Sequence, residues 1–153
     1  KYYNEFFKNS DFHFSFLVKS SKSLSGDDIK LSERLFIPAY KLRGFERGKV
    51  GPKDGNDYVG GNYVTTINFS SNLPLVLEDS EEVDLSFFVD AANIWGVDYD
   101  SSIDDNSGFR SSVGLAIDWW TPIGPLNFSL AHPINEQSSD ITETFRFNIG
   151  TSF

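Results

Sequence analysis

"DFHFSFLVKS", residues 11–20, decides the fold. Phe12, Phe14, Phe16 and Val18 fall on one side of an extended chain, with His13, Ser15 and Lys19 on the other. Side chains of a strand alternate between its two faces, so the stretch predicts a strand with one apolar and one polar face. The same period recurs downstream. Tyr63, Thr65, Ile67 and Phe69 oppose Thr66, Asn68 and Ser70, and Val83, Leu85, Phe87 and Val89 oppose Asp84, Ser86 and Asp90. Phe109, Val113, Leu115, Ile117 and Trp119 oppose Arg110, Ser112, Gly114 and Asp118. Leu126, Phe128 and Leu130 oppose Asn127, Ser129 and Ala131, and Phe145, Phe147, Ile149 and Phe153 oppose Thr144, Arg146, Asn148 and Ser152. With a less regular strand in residues 1–8, this gives about seven strands and an all-β antiparallel chain.

Two architectures accept such a pattern. In a soluble β-sandwich, a binding module for instance, the apolar face packs on a second sheet. In a transmembrane β-barrel the apolar face meets lipid and the polar face lines the lumen. Three features favour the barrel. Connections alternate between compact (Thr121-Pro122-Ile123-Gly124) and long (23–59, 94–107, 134–142), as they do in bacterial barrels. Aromatic residues (Trp95, Tyr99, Trp119, Trp120, Phe153) gather near strand ends, where interfacial girdles lie. The last strand is itself alternating and aromatic. Long loops 23–59, 94–107 and 134–142 are expected on one side, and turns near 9–11, 73–81 and 121–124 on the other.

Composition narrows the function classes. No run approaches the roughly 18 apolar residues of a membrane helix, which leaves a barrel open. The chain has no cysteine, hence no disulfide framework or thiolate metal site, and its net charge of −9 argues against a nucleic-acid surface. Asp98, Asp100, Asp104, Asp105 and Asn106 miss the spacing of a calcium loop and are expected to be a solvated loop. His13 and His132 stand alone, without metal-ligand spacing. No nucleophile elbow, phosphate loop or dinucleotide fingerprint is present, so no enzyme, cofactor or metal is expected. The 153 residues lack methionine, and seven strands do not close an even-numbered barrel. Residues 1–153 are therefore expected to be one incomplete domain with upstream parts missing.

The longest stretch without strand periodicity holds "KLRGFERGKVGP", residues 41–52, basic and glycine-punctuated within an acidic protein. Leu42-Arg43-Gly44-Phe45, Gly51-Pro52 and Gly60-Gly61-Asn62 resemble the BamA family of outer-membrane protein assembly factors (the bacterial surface antigen superfamily). So do Phe87-Phe88-Val89-Asp90 with Asn93-Ile94-Trp95, and Arg110-Ser111-Ser112-Val113-Gly114 with Trp119-Trp120-Thr121-Pro122-Ile123-Gly124-Pro125-Leu126. Phe145-Arg146-Phe147-Asn148-Ile149-Gly150 to Phe153 is similar to the family's closing strand. The resemblance covers about residues 34–153, with residues 1–22 as the two preceding strands.

The resemblance implies the C-terminal half of a transmembrane barrel with a long re-entrant loop. Arg43, Gly44 and Phe45 would form the loop tip, with Arg43 clamped to Asp90 on the inner wall. A second wall acid common in the family is replaced here by Asn68, which leaves a double-carboxylate clamp open to question. It also implies a non-enzymatic insertase in the outer membrane of Gram-negative-type bacteria, in contact with its lipids. Unfolded outer-membrane proteins would be its clients and periplasmic lipoproteins its partners. Clients would meet a lateral seam beside the last strand (Phe145, Phe147, Gly150, Phe153), with pairing weaker after Gly150. Related translocation-assembly and secretion-pore barrels stand as alternatives.

Overall fold

The computed structural model describes residues 10–24, 26–73, 82–105 and 107–150. The strand expected in residues 1–8, most of the 73–81 turn, and Phe153 lie outside them. Six strands form one antiparallel meander: β1 (Phe12–Ser20), β4 (Tyr63–Asn72), β5 (Val83–Trp95), β6 (Arg110–Thr121), β7 (Gly124–Asn135) and β8 (Phe145–Ile149). Between β1 and β4 the chain leaves the sheet. It makes short 3-10 turns at Leu31–Glu33 and Ala39–Lys41 and a two-residue hairpin of β2 (Lys53–Asp54) and β3 (Asp57–Tyr58). The sequence pattern did not disclose that hairpin.

Register fixes the faces. Ser15 pairs with Asn68, Asn68 with Asp90, and Asp90 with Ser112, while Ala116 pairs with Ser129 and Ser129 with Arg146. His13, Lys19, Asp84, Asp90, Arg110, Asp118 and Arg146 therefore share one face, as the alternation predicted. The opposite face is apolar and open: Phe14 is 68% and Phe147 44% exposed, with Phe16, Leu115, Ile117 and Phe145 beside them. A sandwich would bury that face, so the arrangement is that of a barrel wall. β5, with 13 residues, is about 43 Å long at about 3.3 Å per residue. Tilted by about 45° it crosses about 30 Å, the thickness of a hydrocarbon layer. Stacked Tyr63 and Trp95 mark one rim and Trp119 and Trp120 the other.

Connections 21–62, 96–109 and 136–144 emerge on one side of the sheet, and 122–123 on the other, in line with the predicted sidedness. The inner face is not polar throughout. Toward the long-loop rim Val64, Ala92 and Ile94 pack against Ile37, Leu42, Phe45 and Val50 of the 21–62 loop. The loop re-enters and covers this part of the wall, so apolar residues gain there by leaving water. Toward the other rim a cavity of about 330 Å³ remains polar, lined by His13, Ser15, Lys41, Asp118, Asn127 and Asn148 among others. Residues of both edge strands line it, so the sheet is strongly curled. Phe88 also points inward, against Ala116 and Ala131. It fits because Gly114 opposite has no side chain: a Cβ there would lie 2.5 Å from the Phe88 ring and 2.1 Å from the Leu130 carbonyl oxygen.

Candidate functional site: the lumen clamp

The sheet places Asp90 at the centre of β5 with its side chain inside, fully buried. Arg43 arrives from the loop and meets it side-on. Nε donates to Oδ2 at 2.7 Å and Nη2 to Oδ1 at 2.9 Å, a bidentate fork, and the Arg43 backbone N–H adds a third bond to Oδ2 at 3.1 Å. Such a planar, charge-assisted pair is among the stronger polar contacts a protein makes. The guanidinium also lies over the Phe88 ring, 3.5 Å from its centroid. The pairing expected from the loop motif is therefore present, and Phe88 supplies a platform that the motif did not indicate.

Asn68 sits beside Asp90 and acts as a donor. Its Nδ2 bonds Asp90 Oδ1 at 2.8 Å and the Lys41 carbonyl at 2.8 Å. Among the described residues Asp90 thus receives four hydrogen bonds, and no second carboxylate takes part. Gly44 follows with φ +89°, a region costly for any residue bearing a Cβ. A Cβ at Gly44 would also press within 3.1 Å of Ala131 and Ser112 side-chain carbons. Ser112 Oγ donates to the Arg43 carbonyl, so the tip is held on both sides of its peptide. Phe45, 1% exposed, plugs the apolar cluster above the clamp.

Three further ion pairs join the described residues, none of them foreseen; one, Arg146 with Glu143, lies at the start of β8. The side chains of Arg110 and Asp140 are both completely buried, with Nε to Oδ2 at 2.9 Å and Nη2 to Oδ1 at 3.2 Å. Arg110 was legible as an inward residue; its partner lies in a connection with no periodicity to place it. Arg34 pairs with Asp98 and covers the Tyr99 ring at 4.7 Å. Asp98 is therefore an anchor, which corrects the expectation that its acidic stretch is simply solvated. Burial pushes the Asp98 carboxyl up, but hydrogen bonds from Asn62 and the Ile29 N–H, together with the Arg34 charge, hold it below its usual range. Asp105 accepts from the Val97 N–H and Asp100 from the Ser102 N–H, so these carboxylates turn to separate partners.

On β8, Phe145 and Phe147 face outward, and Phe147 packs on Phe128 with ring centroids 4.9 Å apart. Gly150 has φ +101° and its N–H donates to the Pro125 carbonyl at 2.8 Å, which closes the described pairing with β7. Pairing beyond Gly150 lies outside the described residues.

A curled antiparallel wall, apolar outside, with an arginine-tipped loop locked inside it, is a specific combination. The sequence profile of the Omp85 superfamily domain matches residues 1–153, the whole chain. The chain belongs to the Omp85 superfamily. Within it, the chain is 30% identical to the outer membrane protein assembly factor BamA of Neisseria meningitidis serogroup B, over 73% of this chain and 17% of that protein. It is 29% identical to BamA of Neorickettsia risticii, over 84% of this chain and 18% of that protein. The crystal structure of Haemophilus ducreyi BamA lacking POTRA domains 1–3 superposes with a TM-score of 0.80 at 27% identity. That match covers 90% of this chain and 30% of the other. This Omp85 chain is thus similar to part of a BamA barrel, and it spans under a fifth of the two BamA sequences.

Proposed function

We propose that this chain is the loop-bearing wall of an outer-membrane barrel that assembles other β-barrel proteins into the membrane without enzymatic chemistry. The observation that carries the reading is the Arg43–Asp90 fork, formed by a re-entrant loop in a chain whose relatives are assembly factors. Irregular backbone at membrane depth is tolerated only when buried in protein or lining a watery space. A loop fixed this firmly inside the wall supports a plugged, mechanically defined barrel rather than an open pore. The exposed apolar face of Phe14, Phe16, Leu115 and Phe147 is where lipid would lie.

Unfolded outer-membrane proteins would be the clients, and periplasmic lipoproteins the partners. β8 would be one side of a lateral seam: no described strand pairs with its far edge, and such an edge offers unpaired backbone groups to another strand. The test is reconstitution of the full-length protein in lipid vesicles with an unfolded client barrel. Client folding into the vesicles should be accelerated well beyond empty vesicles, and cysteine pairs locking β8 to the first strand of the barrel should abolish the acceleration. Equal folding with and without the protein would end the assembly reading. Undiminished activity in the locked protein would end the seam.

A further inference from the structure

The β7–β8 connection does not simply return the chain to the sheet. The β7–β8 ladder runs from Leu126 and Ile149 to Leu130 and Phe145, and the Ala131 N–H reaches the Thr144 carbonyl at 2.8 Å. Upstream of that point the chain turns inward and pairs with the re-entrant loop. Glu143 N–H donates to the Gly44 carbonyl at 3.0 Å, Glu46 N–H to Ile141 at 2.8 Å, and Ile141 N–H to Lys49 at 3.0 Å. Phe45 and Thr142 are bridge partners. Residues 141–143 thus make an isolated antiparallel bridge with the loop tip and lead directly into β8.

Both ends of this segment are anchored by arginines that the Arg43 clamp does not use. At one end the buried Asp140 carboxylate takes the Arg110 fork from β6, the Gln137 N–H at 2.9 Å and the Gly51 N–H of the loop at 3.3 Å. At the other, Arg146 of β8 donates to the loop carbonyls of Ala39, at 2.7 Å, and Phe45. Its third contact is Glu143, with Nη2 to Oε2 at 2.6 Å. Arg146 alone therefore joins β8, the connection and two points of the loop.

We propose that Arg110, Asp140 and Arg146 are positioning residues that make residues 137–143 a strap, coupling the place of the lumen loop to the place of β8. When the loop is seated the strap is paired, and β8 is held against β7 with its upstream end drawn inward. When the loop tip shifts, the backbone bonds at Gly44, Glu46 and Lys49 and the Arg146 contacts to Ala39 and Phe45 break together. The upstream end of β8 is then free to move. Buried pairs and short backbone ladders break as units, which favours a two-position response over a graded one. Its relevance to client assembly rests on the function proposed above; the coupling itself does not.

The experiment is hydrogen exchange, read by mass spectrometry, on the full-length protein in lipid discs. Asp140→Asn keeps the shape of the side chain and removes the charge that Arg110 grips. It should speed exchange at least tenfold in both 44–49 and 145–149, with the β5 stretch 83–89 unchanged. Arg146→Gln should do the same through the other anchor. Arg146→Lys should fail to restore protection, because a single ammonium cannot reach Ala39, Phe45 and Glu143 together. Faster exchange in 44–49 with β8 unaffected in both variants would overturn the coupling, and so would equal acceleration throughout β5 and β6, which would mean general destabilisation. Client folding by the unsubstituted protein is measured alongside: its absence would remove the assembly reading and leave the exchange result standing.

Discussion

Arg43→Ala should unseat the lumen loop, and the structure sets the size of the effect. Asp90 is fully buried and loses two of its four hydrogen bonds, both charge-assisted, when the guanidinium is removed. Stranding one partner of a buried pair costs about 3–5 kcal/mol. Asn68 Nδ2 and the residue-43 backbone N–H still serve the carboxylate, so the lower end, about 3 kcal/mol, is expected. The lost stacking on Phe88 adds up to about 1 kcal/mol. At 1.4 kcal/mol per factor of ten, the undocked fraction rises at least about a hundredfold. The chain has no cysteine, so Val50→Cys provides a single thiol at a site 6% exposed, within the apolar cluster that the loop must leave on undocking. In the full-length protein, with any cysteine outside residues 1–153 replaced by serine, that thiol should react with a maleimide about a hundred times faster when Arg43 is Ala, and at an intermediate rate when it is Lys. A rate within twofold of the parent would show that the fork does not hold the loop.

Three other substitutions or conditions probe the same region. Asn68→Asp replaces a donor by an acceptor facing Asp90 and the Lys41 carbonyl. It should loosen the loop by about 2–3 kcal/mol at neutral pH, read by the same thiol labelling. Gly44→Ala meets a strained φ and two contacts at 3.1 Å, so about 1–3 kcal/mol of docking is expected to be lost, read as a rise in labelling of roughly fivefold to a hundredfold. The Asp98 anchor is acid-sensitive in a defined direction. Its folded carboxyl titrates below the unfolded value of about 3.9, so its contribution is present above about pH 4 and is lost as pH falls through the folded value. Cleavage beside the exposed Leu31 by an acid-active protease that cuts at apolar residues should therefore accelerate as the pH falls, whereas in an Asp98→Asn variant the rate should change less over the same range.

The alternation of Phe12, Phe14, Phe16 and Val18 against His13, Ser15 and Lys19 was enough to give the strand, its two faces and, with the turn pattern, its place in a curled wall. A period of two is local, and it survives any tertiary context that keeps one face in contact with apolar surroundings. Arg43, Gly44 and Phe45 announced the loop tip, and the inward parity of Asp90 and Asn68 made them available to it. What parity could not convey is partnership between elements without a period. Asp140 lies in a connection, so nothing in its neighbours indicates that it turns inward to meet Arg110; Asp98 looked like one more acid in a charged loop until Arg34 was seen against it. Phe88 belongs to the polar face by count and is buried there because Gly114, on another strand, makes room. The strap of residues 137–143 is likewise invisible in one dimension, since its hydrogen bonds run to Gly44, Glu46 and Lys49, about a hundred residues earlier in the chain. Sequence determined which side each strand residue faces; only the closing of the loop onto the wall decided which of those residues meet.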